Sequence, residues 1–191
     1  MIVPMKFLDE RIIPLIDAFD TSSIPYMVVG LYASNVYGIP RATKDFDVVV
    51  DVTNDSLSAI KPLLPPNLKL DPQLEFEGIT GTIRNIVRFS NSQFVAEIFR
   101  IGNDPHNMVG FQRRVAIIVG DRPIWIHTPE DVIITKLRWN RSKDIDDIKS
   151  VLLVQSENEL DLDWDYIYHW TNHHKTRKQL DEIIAALPNI D

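Results

Sequence analysis

The segment Tyr26–Asp51, YMVVGLYASNVYGIPRATKDFDVVVD, constrains the fold of this chain more than any other. It reads as a short apolar strand, Tyr26–Val29, then a glycine turn at Gly30 and one or two helical turns to Tyr37, ending at Gly38. A basic loop, Ile39–Lys44, leads into a second strand, Phe46–Val52, whose β-branched run reads as buried. Asp45 and Asp47 are separated by one residue. Side chains alternate along a strand, so residues i and i+2 share a face. Both carboxylates then project the same way, within reach of one hard cation. The plain alternative is that they cap a turn or face solvent at a strand end. Acids at the mouth of a buried strand are costly unless a cation or donors compensate them, which favours the cation. Mg²⁺ (or Mn²⁺) is the expected ion, because Mg²⁺ is usually held by one or two carboxylates plus substrate phosphates. The pair suits chemistry on a nucleoside triphosphate.

Around this segment the chain alternates strand and helix patterns, then turns helical. Apolar residues at 8, 12, 15, 16 and 19 have helical spacing over 7–20, with Pro14 expected to kink or break the helix. A helix over 54–64 is stopped by Pro65-Pro66, and 67–81 carries no readable pattern. Residues 83–89 and 94–101 read as strands joined by Ser90-Asn91-Ser92, and 104–113 as a short helix. A hairpin is expected over 115–119 and 124–127, around Gly120-Asp121-Arg122-Pro123. Thr128 as a cap and Pro129 at the first helical position start a helix to about Asn140. Three more helices are expected over 142–154, 163–172 and 175–187. The fold class is therefore α/β (α+β), with an α/β core over 1–127 and a helical C-terminal part over 128–191 packed on it.

Composition narrows the function. The chain has no cysteine, which removes disulfides, thiolate zinc sites and a cysteine nucleophile. A net charge of -7 argues against broad, non-specific nucleic-acid binding, although a local basic patch is compatible with it. There is no apolar run of the ~20 residues needed to span a bilayer. The first residues, interrupted by Pro4, Lys6, Asp9, Glu10 and Arg11, lack the pattern of a secretory signal. A cytoplasmic protein without a membrane partner is expected.

Further charged residues fit the same chemistry, each beside a blander reading. Glu97 lies in the apolar strand 94–99, where it either completes a three-carboxylate site or pairs with Arg84, Arg88 or Arg100. Gly30 permits phosphate to approach backbone N–H groups at a helix start, or is a simple helix-entry glycine. Ser34 adds a hydroxyl. Arg41, Thr43 and Lys44 precede the acids. Arg41 can bind a phosphate bidentately or partner an aspartate, and Lys44 is expected in solvent. Lys136 sits among Val132, Ile133, Ile134 and Leu137, either reaching a cleft or lying with its stem on the surface. Asp144 and Asp147 orient Lys136 or Arg141, or form a solvated face. His169 and His173 have i, i+4 spacing, but without an HExxH motif they are read as exposed tail histidines, with His174 beside them. Trp125, Trp139, Trp164 and Trp170 are read as packing residues.

The motif order carries a family resemblance. Val29-Gly30-Leu31-Tyr32-Ala33, followed by Gly38-Ile39-Pro40-Arg41-Ala42-Thr43-Lys44-Asp45-Phe46-Asp47, resembles the G-G-x-A…G-x-x-R-x-T-x-D-x-D signature of nucleotidyltransferase-fold proteins. Residues 128–137, TPEDVIITKL, and 141–148, RSKDIDDI, resemble the P-E-D-L-x-x-x-K-L and K-D-x-x-D-I blocks of the AbiEii-type branch, which includes toxins of toxin–antitoxin systems. The resemblance implies a mixed β-sheet flanked by helices. It also implies Mg²⁺-dependent transfer of a nucleotidyl group from a nucleoside triphosphate to a hydroxyl acceptor, such as tRNA or a protein. An antitoxin protein is the further partner it implies. By position, Asp45 and Asp47 become metal ligands, Gly30 part of the triphosphate turn, Lys136 a nucleotide contact and Asp147 a further functional acid. With Glu97 as third acid, and Ser34, Arg41 and Thr43 on the nucleotide side, this completes the expected site. Two positions depart from the family pattern: Leu31 stands where Gly or Ser is usual, and Glu97 where Asp is usual. Leu31 favours the alternative of a non-catalytic nucleotide- or partner-binding module.

Overall fold

Alternation along one strand organises the molecule. The structure, a computed structural model, describes residues 2–3, 9–52, 56–78 and 82–188. Its sheet has eight strands, in the order β1-β7-β8-β2-β3-β6-β5-β4. These are β1 (Ile2–Val3), β2 (Tyr26–Val28), β3 (Asp45–Val50), β4 (Leu68–Glu77), β5 (Thr82–Phe89), β6 (Val95–Arg100), β7 (Val115–Val119) and β8 (Arg122–Ile126). Pairing is mixed: β3 runs parallel to β6 and β2 parallel to β8, whereas β2–β3, β5–β6, β4–β5 and β7–β8 are antiparallel.

The strand that reads as buried is fully buried on one face. On β3 Phe46, Val48 and Val50 are fully buried, while Asp45, Asp47 and Val49 on the other face keep partial exposure. The acids therefore lie within the strand, on its more open side. The strands' core face packs on the helices. Phe46, Val48, Ala96 and Ile98 share one apolar cluster with Leu15 and Phe19 of α1 (Ile13–Thr21), and with Ala33 and Tyr37 of α2 (Gly30–Tyr37). The same cluster includes Ile133 and Leu137 of α4 (Pro129–Trp139), Ile148 and Val151 of α5 (Ser142–Glu157), Ile167 of α6 (Trp164–His173) and Leu180 of α7 (Arg177–Ala185). The helical part and the sheet thus share one continuous core. A smaller cluster of Met27, Val29 and Phe111, with Val49 and Ile101, lies at the far end of the acid-bearing face, where α3 (Pro105–Arg113) contributes Phe111.

Several boundaries moved for identifiable reasons. Pro14 does not kink a helix: it occupies the first turn of α1, where its missing N–H is no loss, after a single 3₁₀ turn at Glu10–Ile12 capped by Asp9. Residues 7 and 8 of that expected helix lie outside the described residues, as do 54 and 55 of the next. The remainder of that second helix, Ser56–Leu63, is a 3₁₀ helix holding Pro62, which cannot donate to an α-helical ladder. The unreadable stretch contains β4, an edge strand whose register shifts between Leu70 and Leu74. Thr128 and Pro129 start α4 as expected, and Asn140 ends it in the left-handed conformation. Trp170 is buried, but Trp125 is exposed rather than packed inside. No helix among the described residues is long and apolar enough to cross a membrane.

Phe46 is the largest core side chain on the acid-bearing strand. Its truncation to alanine is expected to cost about 3–5 kcal/mol in urea denaturation. A cost below about 1 kcal/mol would mean that this face is not the packed one.

Candidate active site

Strand register builds the site. In the parallel β3–β6 pair Asp47 is the register partner of Glu97, and Asp45 of Val95. Register partners project from the same side of a sheet, so Asp45, Asp47 and Glu97 share one face, opposite Phe46 and Val48. Arg84 on β5 reaches that face across Glu97, with a guanidinium nitrogen 2.5 Å from Oε2. Glu97 thus stands on the face of the aspartates, and of its three candidate arginines it is paired to Arg84. Beyond it, Arg84 also meets Glu75, and Arg88 meets Glu75 and Asp71, which continues a ladder of charges toward the sheet edge.

Gly30 meets Asp47 at close quarters. Its φ is +63°, a conformation that disfavours side chains, and a Cβ built there would fall 2.1 Å from Asp47 Oδ2. Only a residue without a side chain lets the carboxylate approach the first turn of α2 this closely. The Val29 N–H donates to the Asp47 carbonyl at 3.0 Å, which pins the start of α2 to β3. Val29, the N-cap, makes no side-chain cap. The first-turn N–H groups of α2 therefore receive no bond from a side chain at the N-cap.

The carboxylate cluster carries electrostatic stress. Burial pushes the Asp47 carboxyl from 3.8 up to about 7, and the like charges of Asp45 and Glu97 push the same way. Lys136 and Arg84 act against this but do not overcome it. Thr43 donates its hydroxyl to Asp45 Oδ1.

Lys136 is not a surface lysine. It is 3 % exposed, with Nζ 2.6 Å from Asp147 Oδ2 and 3.2 Å from Asp144 Oδ1. Asp144 and Asp147 are themselves buried, so the reading of a solvated helix face does not hold. Arg41 reaches from the basic loop to grip Asp147, with Nε at 2.8 Å and a terminal nitrogen at 3.0 Å. Arg141 grips Asp144 in the same way, at 2.6 and 3.0 Å. Burial raises the affinity of both aspartates for a proton, but the guanidinium bonds and Lys136 hold both below the usual range. Three cations on two anions leave the network one positive charge in excess. That surplus acts on the carboxylate face, since Lys136 stabilises the charged form of Asp47.

The remaining expected residues have other roles or surroundings. Ser34 is buried and donates to the Gly30 carbonyl at 3.1 Å, which supports the turn from inside α2. Leu31 is buried, and Lys44 is exposed as expected. His169 and His173 are exposed, whereas His174 packs against a buried His106 that sequence spacing did not point to.

No protein-family model matches the chain, and no curated protein is matched by its sequence. Solved structures do resemble it. The solution structure of the antibiotic-resistance factor ANT(2'')-Ia is 11% identical, with a TM-score of 0.56 over 90% of this chain and 93% of that one. A candidate nucleotidyltransferase from H. pylori is 16% identical at a TM-score of 0.52, covering 93% of this chain and 81% of that one. An antigenic nucleotidyltransferase-like protein from Paracoccidioides brasiliensis is 15% identical at a TM-score of 0.51, covering 92% of each. The chain has the nucleotidyltransferase fold. The mixed sheet flanked by helices that the sequence motifs implied is thus the architecture observed.

Two stability measurements follow from the nucleotidyltransferase-fold site. Asp47 stays protonated in the fold to about pH 7, whereas an ordinary aspartate ionises near 3.8. It costs nothing below about pH 4, and its cost grows as pH rises toward 7, to roughly 3–4 kcal/mol. Asp47→Asn is therefore expected to stabilise the fold at pH 8 and to have no effect near pH 4, by denaturant titration at both pH values. An effect independent of pH would contradict the raised affinity for a proton. Lys136→Met removes the cation between two buried carboxylates, and a loss of about 3 kcal/mol is expected. A neutral result would mean that Arg41 and Arg141 alone compensate them.

Proposed function

We propose that this chain is a metal-dependent nucleotidyltransferase that moves a nucleotidyl group from a nucleoside triphosphate to a hydroxyl acceptor. The observation that carries this reading is the common face of Asp45, Asp47 and Glu97 beside the uncapped start of α2. An all-carboxylate donor set suits a hard ion, Mg²⁺ or Mn²⁺, and the glycine at position 30 leaves Asp47 room against the helix start. Asp45 and Asp47 would hold the ion, with Glu97 as the third acid. When bound, such an ion neutralises triphosphate charge and makes an attacking hydroxyl more acidic.

The chain's own groups do the rest. First-turn N–H groups of α2 bind phosphate oxygens, aided by the helix dipole. Gly30 supplies the close approach, and Ser34 holds the turn through the Gly30 carbonyl. Thr43 orients Asp45. Arg41, held by Asp147 and with buried Lys136 behind that carboxylate, presents the cationic wall to the triphosphate tail. The acceptor oxygen forms a bond to the α-phosphorus, and the bond from that phosphorus to the pyrophosphate oxygen breaks. Glu97 takes the hydroxyl proton, held in place by Arg84.

One solved neighbour, ANT(2'')-Ia, is described in complex with adenylyl-2''-tobramycin, an adenylylated small molecule. For this chain the AbiEii-type blocks support a macromolecular hydroxyl instead, on tRNA or a protein, and a cytoplasmic toxin restrained by an antitoxin. The test is transfer of label from α-phosphate-labelled ATP, CTP, GTP and UTP to tRNA or protein, with Mg²⁺. Asp45→Asn and Asp47→Asn are each expected to reduce labelling on the order of a thousandfold. Equal labelling by wild type and variants removes the acids from the mechanism.

The Arg84 guanidinium on Glu97 favours a second reading, a module that binds nucleotide without transfer. Calorimetric nucleotide binding with no labelling under any condition would establish that reading over the enzyme.

A further inference from the structure

A second cluster of chemistry-bearing side chains lies between α3, α4 and α6, and the nucleotidyl-transfer reading does not use it. Asp104 is the N-cap of α3, His106 lies in its first turn, and His174 is the C-cap of α6. Each offers one ligand atom, and the three atoms lie within 4.8 Å of one another. No spacing rule relates His174 to the other two.

The decisive detail is on His106, which is 1 % exposed. Its Nε2 lies 3.1 Å from Asp131 Oδ1, and Asp131 also accepts from the Thr128 and Tyr166 hydroxyls, at 2.9 and 2.7 Å. An acceptor-only carboxylate fixes the proton on Nε2, which leaves the His106 Nδ1 lone pair bare. That Nδ1 is buried and has no hydrogen-bond partner among the described residues, and the same holds for His174 Nδ1. Two buried, unpartnered ring nitrogens on adjacent histidines are costly. The two rings meet edge to face at 5.3 Å, with Trp170 packed against both.

We propose that Asp104, His106 and His174 form a binding site for a transition-metal dication of the Zn²⁺ class, which clamps α3 to the end of α6. Two imidazoles and one carboxylate are the donor set that Zn²⁺ accepts, and they suit Mg²⁺ poorly. Asp131 supplies the outer carboxylate that orients a ligating histidine. Asp104 already accepts from the Asn107 N–H and from both terminal nitrogens of Arg138. Its oxygens retain lone pairs, and the exposed Arg138 can turn aside as the ion enters. Zn–ligand bonds of ~2.0–2.2 Å require the three donors to draw closer, by side-chain rotation. Water completes the tetrahedron.

The site is independent of the carboxylate face, so the two readings fail separately. The full chain is stripped with chelator and titrated with Zn²⁺ alone. One equivalent is expected to bind and, at hundredfold excess over Kd, to raise Tm by roughly 5–10 °C. Co²⁺ is expected to give the visible absorption of a tetrahedral site, and Cu²⁺ an electron paramagnetic resonance spectrum with two imidazole nitrogens. His174→Ala, at a partly exposed helix end, should abolish the Tm gain and weaken binding at least tenfold. His173→Ala and Asp45→Asn/Asp47→Asn should bind Zn²⁺ as wild type does. Absence of a Zn²⁺-dependent Tm rise in the wild type overturns the proposal, as does undiminished binding by His174→Ala. Should His174→Ala fail to fold, a Cu²⁺ spectrum of the wild type without two nitrogen ligands overturns it equally.

Discussion

Three carboxylates held on one face of the sheet, against their mutual repulsion, set the terms for the rest of the structure. Nothing local makes Asp45, Asp47 and Glu97 favourable neighbours; burial and like charge both resist ionisation of Asp47. They are forced together by the reverse side of the same strands. Phe46, Val48, Ala96 and Ile98 pack the core, and that packing fixes the β3–β6 register. A slip of one residue would send the acids into the core and the apolar side chains into water, so the register is strongly specified. Core stability is thus spent on holding charges in a place where folding alone would not put them, and such stress is a mark of functional sites.

The positive counterpart is built differently. Lys136, Arg41 and Arg141 are not laid along a strand but tied by two buried aspartates into one network spanning the basic loop, α4 and α5. Bidentate guanidinium bonds hold each carboxylate rigidly, so the lysine has little freedom. Further ties lock the basic loop and α2 to the helices. Gln155 donates to the Tyr37 carbonyl at 2.9 Å, the Tyr37 hydroxyl donates to the His127 carbonyl at 2.8 Å, and the Ile39 N–H donates to Ser150 Oγ. The helical part is therefore not an appendage to the site. It supplies Lys136, Arg141 and the two aspartates to which the basic loop is tied through Arg41.

Much of the fold was legible where the signal is local. Thr128-Pro129 and Asp104-Pro105 announce helix starts because capping and the proline ring act within one turn. The hairpin at Gly120 is legible because a left-handed glycine, at φ +67°, is a local requirement. By contrast β4 escaped notice: it carries Pro72 and polar residues, and is a strand because β5 supplies its hydrogen bonds. Burial of Lys136 was undecidable, because its apolar neighbours are compatible with either a buried or a surface stem. That Glu97 pairs with Arg84 rather than Arg88 or Arg100 depends on the β5–β6 register, which the turn at 90–92 does not by itself announce.

What the sequence by itself determined is the material: two aspartates on one side of a strand, a glycine before a short helix, basic residues just upstream, and capped helices after residue 128. These follow from period-two alternation and from capping, which act over a few residues. What only the tertiary structure decided is which charges meet. Glu97 comes to Asp47 through parallel pairing, Asp47 comes to Gly30 through the β2–α2 turn, and His106 meets His174 because α3 and α6 share a boundary. The reason is physical: charge interactions depend on distance and on exclusion of water, and both are set by the folded core rather than by separation along the chain.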